Sequence, residues 1–243
     1  MPSLFLSLVI PAYNEERRLP HTLEQVALFL GLQSYSWEVI VVDNASTDKT
    51  PEIIRNFAQR YPQIRGLREK RRGKGEAVKS GMLAAKGEYR FMCDSDLSMP
   101  ITELNHFLPP QLENFNLAIA SREAQGAIRY DEPFYRYLGG RAVNTMIRLL
   151  ILPRLKDTQC GFKCFSASAA EDLFSHQTLS SWAFDIEILA IAQLRGYKIV
   201  EVPIPWHFDS GSKLNAFKSA AQMFLDILTI RDNARKGVYD QKD

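Results

Sequence analysis

The sequence predicts an α/β protein built on an open, mostly parallel β-sheet that is flanked by helices. Short runs rich in β-branched residues, LFLSLVI at 4–10 and WEVIVVD at 37–43, are typical of parallel strands that are buried on both faces. Segments with helical apolar spacing separate these runs, and neither a low-complexity linker nor an internal repeat interrupts the 243 residues. This alternation predicts βαβ units, in which ligands bind beyond the carboxyl ends of the strands.

The first half of the chain alternates regularly between strands and helices. After the first strand, residues 15–30 carry apolar side chains at helical spacing. A polar loop follows the second strand, and Pro51 suits the first turn of the next helix. Further along, the pattern predicts strands at 64–68 and 89–93 with a helix at 76–85 between them. We therefore expect residues 1–98 to form a Rossmann-like, nucleotide-type half.

The second half is less regular, although it still alternates. A short strand at 117–120, helices at 134–152 and 184–194, and a strand at 200–208 that Pro203 and Pro205 interrupt are the elements that the pattern predicts. We expect a single domain over residues 1–243, in which an irregular half at 99–212 follows the nucleotide-type half. An amphipathic helix and tail at 213–243 end the sequence.

Composition excludes some functional classes. Thirty Lys and Arg residues against 28 Asp and Glu give a net charge of +2, which disfavours a nucleic-acid binder. The three cysteines, Cys93, Cys160 and Cys164, are odd in number and lack the second pair that a structural zinc site needs, so we expect buried thiols in a reducing, cytoplasmic setting. No signal peptide is recognisable, and no window reaches the roughly 20 apolar residues of a membrane span.

Polar clusters follow three of the predicted strands, at 11–15, 43–46 and 94–96. In an open α/β sheet these strand ends converge on one crevice. The carboxylate of Asp43 can accept a hydrogen bond from the ring N–H that uracil and guanine both offer, and Tyr13 can supply an aromatic face. The clusters therefore suggest a nucleotide site.

Asp94 and Asp96 end an apolar run and lie on the same face of a strand tip. Two close carboxylates repel each other, so the pair needs a proton, a basic neighbour or a cation such as Mg²⁺ or Mn²⁺. The run RRGKG at 71–75 adds positive charge just before a helix, where a phosphate can bind. Taken singly, an Asp-x-Asp is common in turns and helix caps, and a basic run is usually a solvated face. Together they favour a metal-dependent nucleotide-diphosphate site.

Longer segments carry a family resemblance. VIPAYNEE, VIVVDNASTDKT and GKGEAVKSGMLAAKGEYRFMCDSDLSMP resemble the family 2 glycosyltransferases of the GT-A fold. ASRE, DTQCGFKCF, WAFDIEIL and SGSKLN resemble the polyprenyl-phosphate branch of that family, which contains dolichyl-phosphate β-glucosyltransferases and dolichyl-phosphate mannose synthases. The resemblance extends from Leu4 to about Arg235.

The resemblance implies roles for particular residues on the donor side. Asp94 and Asp96 would hold a divalent metal, Mg²⁺ or Mn²⁺. Ser98 stands at a position that is often a metal-contacting Gln in the mannose synthases, so a third protein ligand is not expected, and the glucosyl branch is favoured. The nucleotide sugar would be bound by Pro11, Ala12, Tyr13, Glu15, Asp43, Lys74, Asp94 and Ser95.

The acceptor residues follow from the same resemblance together with residue chemistry. Arg122, Arg136 and Lys213 are the candidates for binding an acceptor phosphate, although Arg122 could instead pair with Glu123 at the surface and Lys213 could be an ordinary exposed lysine. A phosphate acceptor is already an anion and needs no strong base, whereas a sugar hydroxyl needs one. Asp185 is the candidate base, so the candidate catalytic residues are Asp96, Asp185 and Arg122.

The resulting expectation is an inverting transferase that moves a hexose, with glucose from UDP-glucose favoured, onto a polyprenyl or dolichyl phosphate. A GDP-mannose-dependent enzyme of the same branch and a family 2 transferase acting on a sugar hydroxyl remain alternatives. A non-enzymatic partner subunit that only binds nucleotide sugar is a further alternative, but it would be expected to have a damaged metal site, and Asp94 and Asp96 are both present.

An acceptor of this kind is in a membrane, so we expect a peripheral protein at the cytoplasmic face. An apolar stripe recurs at three- and four-residue steps near the end of the chain. It either packs on the sheet as part of an ordinary terminal helix or lies in the lipid interface, with Arg231, Arg235 and Lys236 near anionic lipid. The stripe consists of Phe217, Ala220, Ala221, Phe224, Leu225 and Leu228.

Overall fold

The computed structural model describes residues 4–208 and 216–240, with the side chains of the last segment described from Ala221 onward. Its strands are β1 (Leu6–Ala12), β2 (Trp37–Asp43), β3 (Ile64–Arg68), β4 (Tyr89–Cys93), β5 (Leu117–Ser121), β6 (Ile128–Tyr130), β7 (Phe162–Ser166), β8 (Ile199–Pro203) and β9 (Pro205–His207). Its helices are α1 (Leu19–Gly31), α2 (Thr50–Arg60), α3 (Lys74–Ala84), α4 (Phe134–Leu150), α5 (Ala167–His176), α6 (Phe184–Leu194) and α7 (Ala216–Arg235), with a 3-10 helix at Ile101–Phe107.

Seven strands form one sheet in the order β3-β2-β1-β4-β7-β5-β8, and β6 pairs with β9 in a small second sheet. The pairs β1–β2, β1–β4, β2–β3 and β5–β8 are parallel. Only β7 runs antiparallel, to both of its neighbours. The predicted mostly parallel α/β sheet is therefore confirmed, and it includes strands from both halves of the chain.

Alternate residues of the central strands enter two separate cores, because successive side chains of a strand point to opposite faces. In β1, Leu8 and Ile10 pack against α1 and the 3-10 helix, whereas Val9 packs on the other face against α3. Every residue of β1 is buried. Burial on both faces accounts for the nearly continuous apolar runs in the sequence.

Several predicted elements are confirmed at their residue bounds, namely β2, β3, β4 and α6. The prediction that the first helix starts at Glu15 is wrong, since α1 begins at Leu19. Asn14 has a left-handed φ of +54°, and hydrogen bonds from the backbone N–H groups of Glu15 and Glu16 to the side chains of Thr50 and Asp48 hold these residues outside the helix.

Four elements of the second half were not predicted from the sequence: the 3-10 helix, β6, β7 and α5. The β7 strand FKCFS contains Lys163, which is 1% exposed, so a charge interrupts the apolar run that marks a buried strand. The predicted strand at 200–208 is divided in two, because β8 joins the main sheet whereas β9 pairs with β6. The predicted helix at 134–152 ends earlier, at Leu150.

The described part of α7 shows which of its faces packs. Met223, Ile227 and Ile230 are buried against the core. The opposite face is exposed, so the idea that the predicted stripe packs on the sheet is wrong for its described members Ala221, Phe224, Leu225 and Leu228. Phe217 and Ala220 lie outside the described side chains. Across the described ranges, no helix is both long enough and apolar enough to cross a bilayer.

Candidate functional site

The carboxyl ends of three adjacent strands form the frame of the site. β1 lies between β2 and β4, and a non-glycine residue with left-handed φ follows each strand: Asn14 (+54°), Ala45 (+55°) and Leu97 (+48°). The backbone N–H of Asn14 donates to Ser46 Oγ over 3.0 Å, and Thr22 Oγ donates to the Ser95 carbonyl over 2.6 Å. Such backbone conformations persist only where the surrounding contacts fix them. The predicted convergence of these loops is present.

Asp43 presents a buried acceptor with an unused lone pair. The residue is 4% exposed, and Oδ1 accepts a hydrogen bond of 3.0 Å from the Ser46 N–H. Oδ2 is buried without a hydrogen-bond partner among the described residues, and the nearest cationic atom is Arg68 Nε at 3.9 Å. A buried carboxylate oxygen without a donor is costly. An N–H donor from a bound nucleobase would satisfy it.

Lys74 is the first residue of α3, and its ammonium group contacts Asp94 at distances of 2.7 and 2.9 Å to the two carboxylate oxygens. Burial lowers the pKa of Lys74, but the charges of Asp94 and Asp185 outweigh this effect and raise it overall. The loop before α3 is tied to the second strand end, because Asn44 accepts from the Gly73 N–H at 2.9 Å and donates to the Arg71 carbonyl at 2.7 Å. A cation is thus held where the sequence predicted phosphate contact.

The lack of a side chain at Gly161 makes room for the Asp94 carboxylate. A Cβ atom on Gly161 would lie 1.9 Å from Asp94 Oδ2, a distance at which the two atoms overlap. The Asp94 N–H also donates to the Gly161 carbonyl over 3.0 Å. Sequence reasoning did not single out Gly161, although it lies in the segment DTQCGFKCF that carried the family resemblance. The absence of its side chain is a requirement of the carboxylate pair.

Asp94 and Asp96 suit a divalent cation. Burial, and then the charge of Asp94, raise the pKa of Asp96, so positive charge near the pair would be stabilising. Asp96 Oδ1 accepts from the Ser98 N–H at 3.0 Å. No set of three or more His, Cys, Asp or Glu side chains that could enclose a metal occurs in the described ranges. Two carboxylates fit Mg²⁺ or Mn²⁺ if donor phosphates and water complete the coordination.

The other candidate donor residues surround this frame. Pro11 and Ala12 are buried at the end of β1, and Ser95 is buried in the loop after β4. Tyr13 is 42% exposed, so its ring is accessible to a ligand. Glu15 forms a two-pronged ion pair with Arg18, with distances of 2.7 and 2.8 Å.

Arg122 is paired with Asp157 rather than with Glu123. Its Nε and Nη2 donate to the two oxygens of Asp157 over 2.7 and 3.0 Å, and its guanidinium lies 5.2 Å from the ring centre of Trp206. Burial opposes ionisation of Asp157, yet Arg122 lowers the pKa of that carboxyl to about 2. Glu123 instead binds Arg129 and Arg141. The ion pair leaves Nη1 of Arg122 without a bond to any of the described residues.

The other basic residues predicted to bind the acceptor phosphate are Arg136 and Lys213. Arg136 lies on α4 with its guanidinium 5.6 Å from the ring centre of Phe208. Lys213 falls outside the described residues. The structure therefore assembles the donor candidates closely, and it distributes the acceptor candidates over α4 and the end of β5.

Asp185 is buried in an ion pair that sequence reasoning did not foresee. Its Oδ1 lies 2.7 Å from Lys163 Nζ, which also donates to the Cys160 carbonyl over 2.5 Å. Burial raises the pKa of Asp185, and Lys163 opposes this. Glu187, two residues further along α6, is fully buried and accepts from Thr178, Leu179 and Tyr239. The only sequence signal for the Lys163–Asp185 pair is a lysine within an apolar segment.

Comparisons with known proteins point in one direction. Residues 7–174 match the sequence model of the family described as Glycosyl transferase family 2. A dolichyl-phosphate beta-glucosyltransferase of Dictyostelium discoideum is 34% identical over 99% of this chain and 78% of its own length. Proteins of the same name from Homo sapiens and Saccharomyces cerevisiae are 33% and 30% identical over 95% and 97% of this chain, and 76% and 77% of their own lengths.

Solved structures agree on the fold. Glucosyl-3-phosphoglycerate synthase from Mycobacterium tuberculosis in complex with UDP superposes with a TM-score of 0.67, at 20% identity over 93% of this chain and 79% of that chain. The same enzyme in complex with Mn²⁺, UDP-glucose and phosphoglyceric acid gives a TM-score of 0.67 at 19% identity, over the same shares of the two chains. Identities this low establish similarity of architecture alone.

Proposed function

The chain belongs to glycosyl transferase family 2 and has the GT-A fold, and from this premise we propose that it transfers glucose from UDP-glucose to a dolichyl or related polyprenyl phosphate. The arrangement of Asp43, Lys74 and the Asp94–Asp96 pair around adjacent strand ends is the observation that carries the donor half of the proposal. The acceptor is supported by the relatives named dolichyl-phosphate beta-glucosyltransferase, which match 94% or more of the chain.

On the donor side, each residue has a distinct task. Asp43 Oδ2 accepts the ring N–H of the base, which satisfies the buried oxygen. Lys74, at the start of α3, offsets the negative charge of the diphosphate. A divalent ion bound by Asp94 and Asp96 would supply further electrostatic stabilisation of the departing nucleoside diphosphate.

In the transfer itself, an oxygen of the acceptor phosphate forms a bond to the anomeric carbon while the bond from that carbon to the diphosphate oxygen breaks. Attack from the face opposite the diphosphate inverts the anomeric configuration. The nucleophile is already an anion at neutral pH, so no side chain has to remove a proton. The engagement of Asp185 by Lys163 supports an acceptor that needs no base. Arg122 and Arg136 are the proposed phosphate contacts.

Membrane contact is the third part of the proposal. The exposed face of α7 carries Phe224, Leu225 and Leu228, and its C-terminal end carries Arg231 and Arg235, a pattern typical of interfacial helices. Apolar side chains of α4 are exposed as well, namely Phe134, Tyr135, Leu138 and Leu149. We propose that the protein binds peripherally at the cytoplasmic face of the membrane that contains its acceptor, and the three free, buried cysteines are consistent with a reducing compartment.

Co-sedimentation with liposomes containing anionic lipid tests the membrane proposal. Replacement of Leu225 and Leu228 by Ser should reduce the bound fraction severalfold, because two exposed apolar side chains leave the interface. Leu32→Ser is the control, since Leu32 is 85% exposed and follows α1, which packs on the opposite core. Equal binding of the double variant and the control would place membrane contact elsewhere.

A donor panel tests the activity. Purified protein with Mn²⁺ or Mg²⁺ and dolichyl phosphate is supplied in turn with UDP-glucose, UDP-galactose, GDP-glucose and GDP-mannose, and the released nucleoside diphosphate is measured. We expect release with UDP-glucose and formation of a glucosyl phosphate lipid by mass spectrometry. Preferred use of GDP-mannose would establish the mannosyltransferase alternative. Release that requires a sugar hydroxyl acceptor instead of a polyprenyl phosphate would overturn the proposed acceptor.

A further inference from the structure

The segment 177–182, between α5 and α6, packs directly against the residues that begin α3. The Gly75 N–H donates to the Ser180 carbonyl over 3.0 Å, and Gln177 Nε2 donates to the Gly75 carbonyl over 3.0 Å. Lys74 Nζ lies 4.7 Å from the ring centre of Trp182. The approach is so close that a Cβ atom on Gly73 would lie 2.3 Å from the Ser180 carbonyl oxygen. The position of Lys74 therefore depends on this segment.

The same segment is held on its other side by the C-terminal part of the chain. Ser181 Oγ donates to Asp226 Oδ2 on α7 over 2.7 Å. Tyr239, in the turn after α7, donates through its hydroxyl to Glu187 Oε1 over 2.9 Å. Glu187 Oε2 in turn accepts the Leu179 N–H over 2.8 Å. Two separate hydrogen-bonded chains thus connect the C-terminal residues to the segment that positions Lys74.

Burying the polar side chains that make these contacts has a cost in desolvation. Asp226 is 7% exposed, Tyr239 is 1% exposed and Glu187 is fully buried. Apolar residues of similar size would pack in such places at no cost in desolvation, and they often give equal or greater stability. Hydrogen bonds differ from apolar contacts in that they fix direction and distance. The buried polar groups of Asp226, Tyr239 and Glu187 therefore fix segment 177–182 in one orientation.

We infer that Asp226 and Tyr239 are positioning residues for Lys74, which act through segment 177–182 on the binding of the donor diphosphate. The inference rests on the proposed function, because it gives Lys74 its role at the donor phosphates. It adds that the C-terminal helix, which lies far along the sequence from the donor motifs, sets the affinity for the nucleotide sugar.

Isothermal titration of UDP-glucose in the presence of Mn²⁺, together with steady-state kinetics, provides the test. Asp226→Asn replaces the charged acceptor by a neutral amide, so the Ser181 hydroxyl either donates to a neutral oxygen or has to turn and accept from the NH₂ group, and in both cases its bond to the carboxylate is lost. We expect at least a fivefold increase in the dissociation constant and in the KM for UDP-glucose, with kcat changed less than twofold. Asp232→Asn is the matched control, because Asp232 is an exposed residue of the same helix whose side chain pairs only with Lys236 in the described structure.

A double-mutant cycle distinguishes positioning of Lys74 from general loosening of the fold. In a Lys74→Met background, Asp226→Asn should change UDP-glucose binding less than twofold, because the group it positions is gone. An undiminished fivefold effect in that background would overturn the inference. Should Asp226→Asn fail to fold by circular dichroism, Tyr239→Phe serves in the same cycle, since it removes only the hydroxyl that binds Glu187.

The outcomes also separate this inference from the proposed function. Wild-type protein that binds no UDP-glucose would contradict the proposed donor. If the wild type binds UDP-glucose and Asp226→Asn and Tyr239→Phe bind it equally well, the positioning role is contradicted while the proposed function is not.

Discussion

Asp43 and Asp96 in the first half of the molecule have different surroundings from Asp157, Asp185 and Glu187 in the second half. In residues 4–98, Asp43 keeps a buried oxygen without a hydrogen bond, and Asp96 accepts a single bond from a backbone N–H among the described contacts. In the second half, Asp157, Asp185 and Glu187 are also buried, but each is occupied by close protein partners. The first group is incomplete without a ligand, whereas the second is complete without one.

This difference has an energetic meaning. An unsatisfied buried acceptor costs about 1–3 kcal/mol, so a fold that retains one loses stability unless a ligand supplies the donor. A saturated buried ion pair behaves in the opposite way, because removal of one partner leaves a charge uncompensated. Substitutions in the first group should therefore reduce activity without destabilising the protein, and those in the second group should reduce its stability.

The largest effect is expected for Asp96→Asn. Loss of this charge removes one of the two carboxylates proposed to bind the metal, so kcat/KM should fall by about 10³-fold or more. Repulsion between Asp94 and Asp96 is relieved at the same time, so the melting temperature should be unchanged or slightly higher. Kinetics with UDP-glucose and thermal unfolding measure the two quantities.

The same substitution also tests whether Asp96 differs from the structural carboxylates of the second half. Wild-type turnover with retained metal dependence in Asp96→Asn would mean that the pair is not the metal site. A melting temperature that falls by more than a few degrees would place Asp96 among the structural carboxylates instead.

The next largest effect is expected for Asp157→Asn, and it concerns stability. Because the partly buried Arg122 cation would lose its carboxylate, the free energy of unfolding should fall by about 2–3 kcal/mol. Denaturant unfolding at neutral pH measures this, with Glu113→Gln as an exposed control. A loss equal to that of the control would show that the pair contributes nothing.

The stability contributed by the Arg122–Asp157 pair should depend on pH. The folded pKa of Asp157 is lowered to about 2 from the usual value of 3.8, so the pair contributes stability above about pH 4 and loses it as pH falls towards 2. The difference in unfolding free energy between wild type and Asp157→Asn should therefore narrow over that interval. A constant difference would mean that another group is responsible.

A somewhat smaller effect is expected for Gly161→Ala. The added Cβ would overlap with Asp94 Oδ2, so the carboxylate has to move by about 1 Å, and a displacement of that size costs about 10²-fold in rate. Gly31→Ala is the matched control, since no atom lies within 4 Å of its added Cβ. Full activity of Gly161→Ala would show that the position of Asp94 is not critical.

The sequence was a good guide where local rules decide the structure. Strands β2, β3 and β4 follow from continuous apolar runs, and the convergence of Asp43 with Asp94 follows from parallel topology. The strands are buried on both faces there, so the periodic signal is strong. Cys93, Cys160 and Cys164 are buried and free, as predicted.

Prediction from the sequence failed where contacts between residues far apart in the chain determine the structure. Arg122 pairs with Asp157, 35 residues away, rather than with its neighbour Glu123. The strand β7 was missed because Lys163 interrupts its apolar pattern, and that lysine is buried only because Asp185 is beside it. Helical periodicity identified an apolar stripe on α7, yet it could not show that Phe224 and Leu225 face outward while Ile227 packs inward. Such pairings are properties of the assembled fold.

Binding of UDP to Asp43→Asn tests the central claim, that Asp43 and Asp96 are left incomplete for a ligand. In this variant the amide oxygen can still accept from the Ser46 N–H, while the NH₂ group replaces the oxygen that has no partner. Isothermal titration should give an affinity at least tenfold weaker than that of the wild type, because a hydrogen bond to a charged group contributes about 1.5–3 kcal/mol, with no loss of melting temperature. Unchanged affinity for UDP, or a destabilised variant, would contradict the claim.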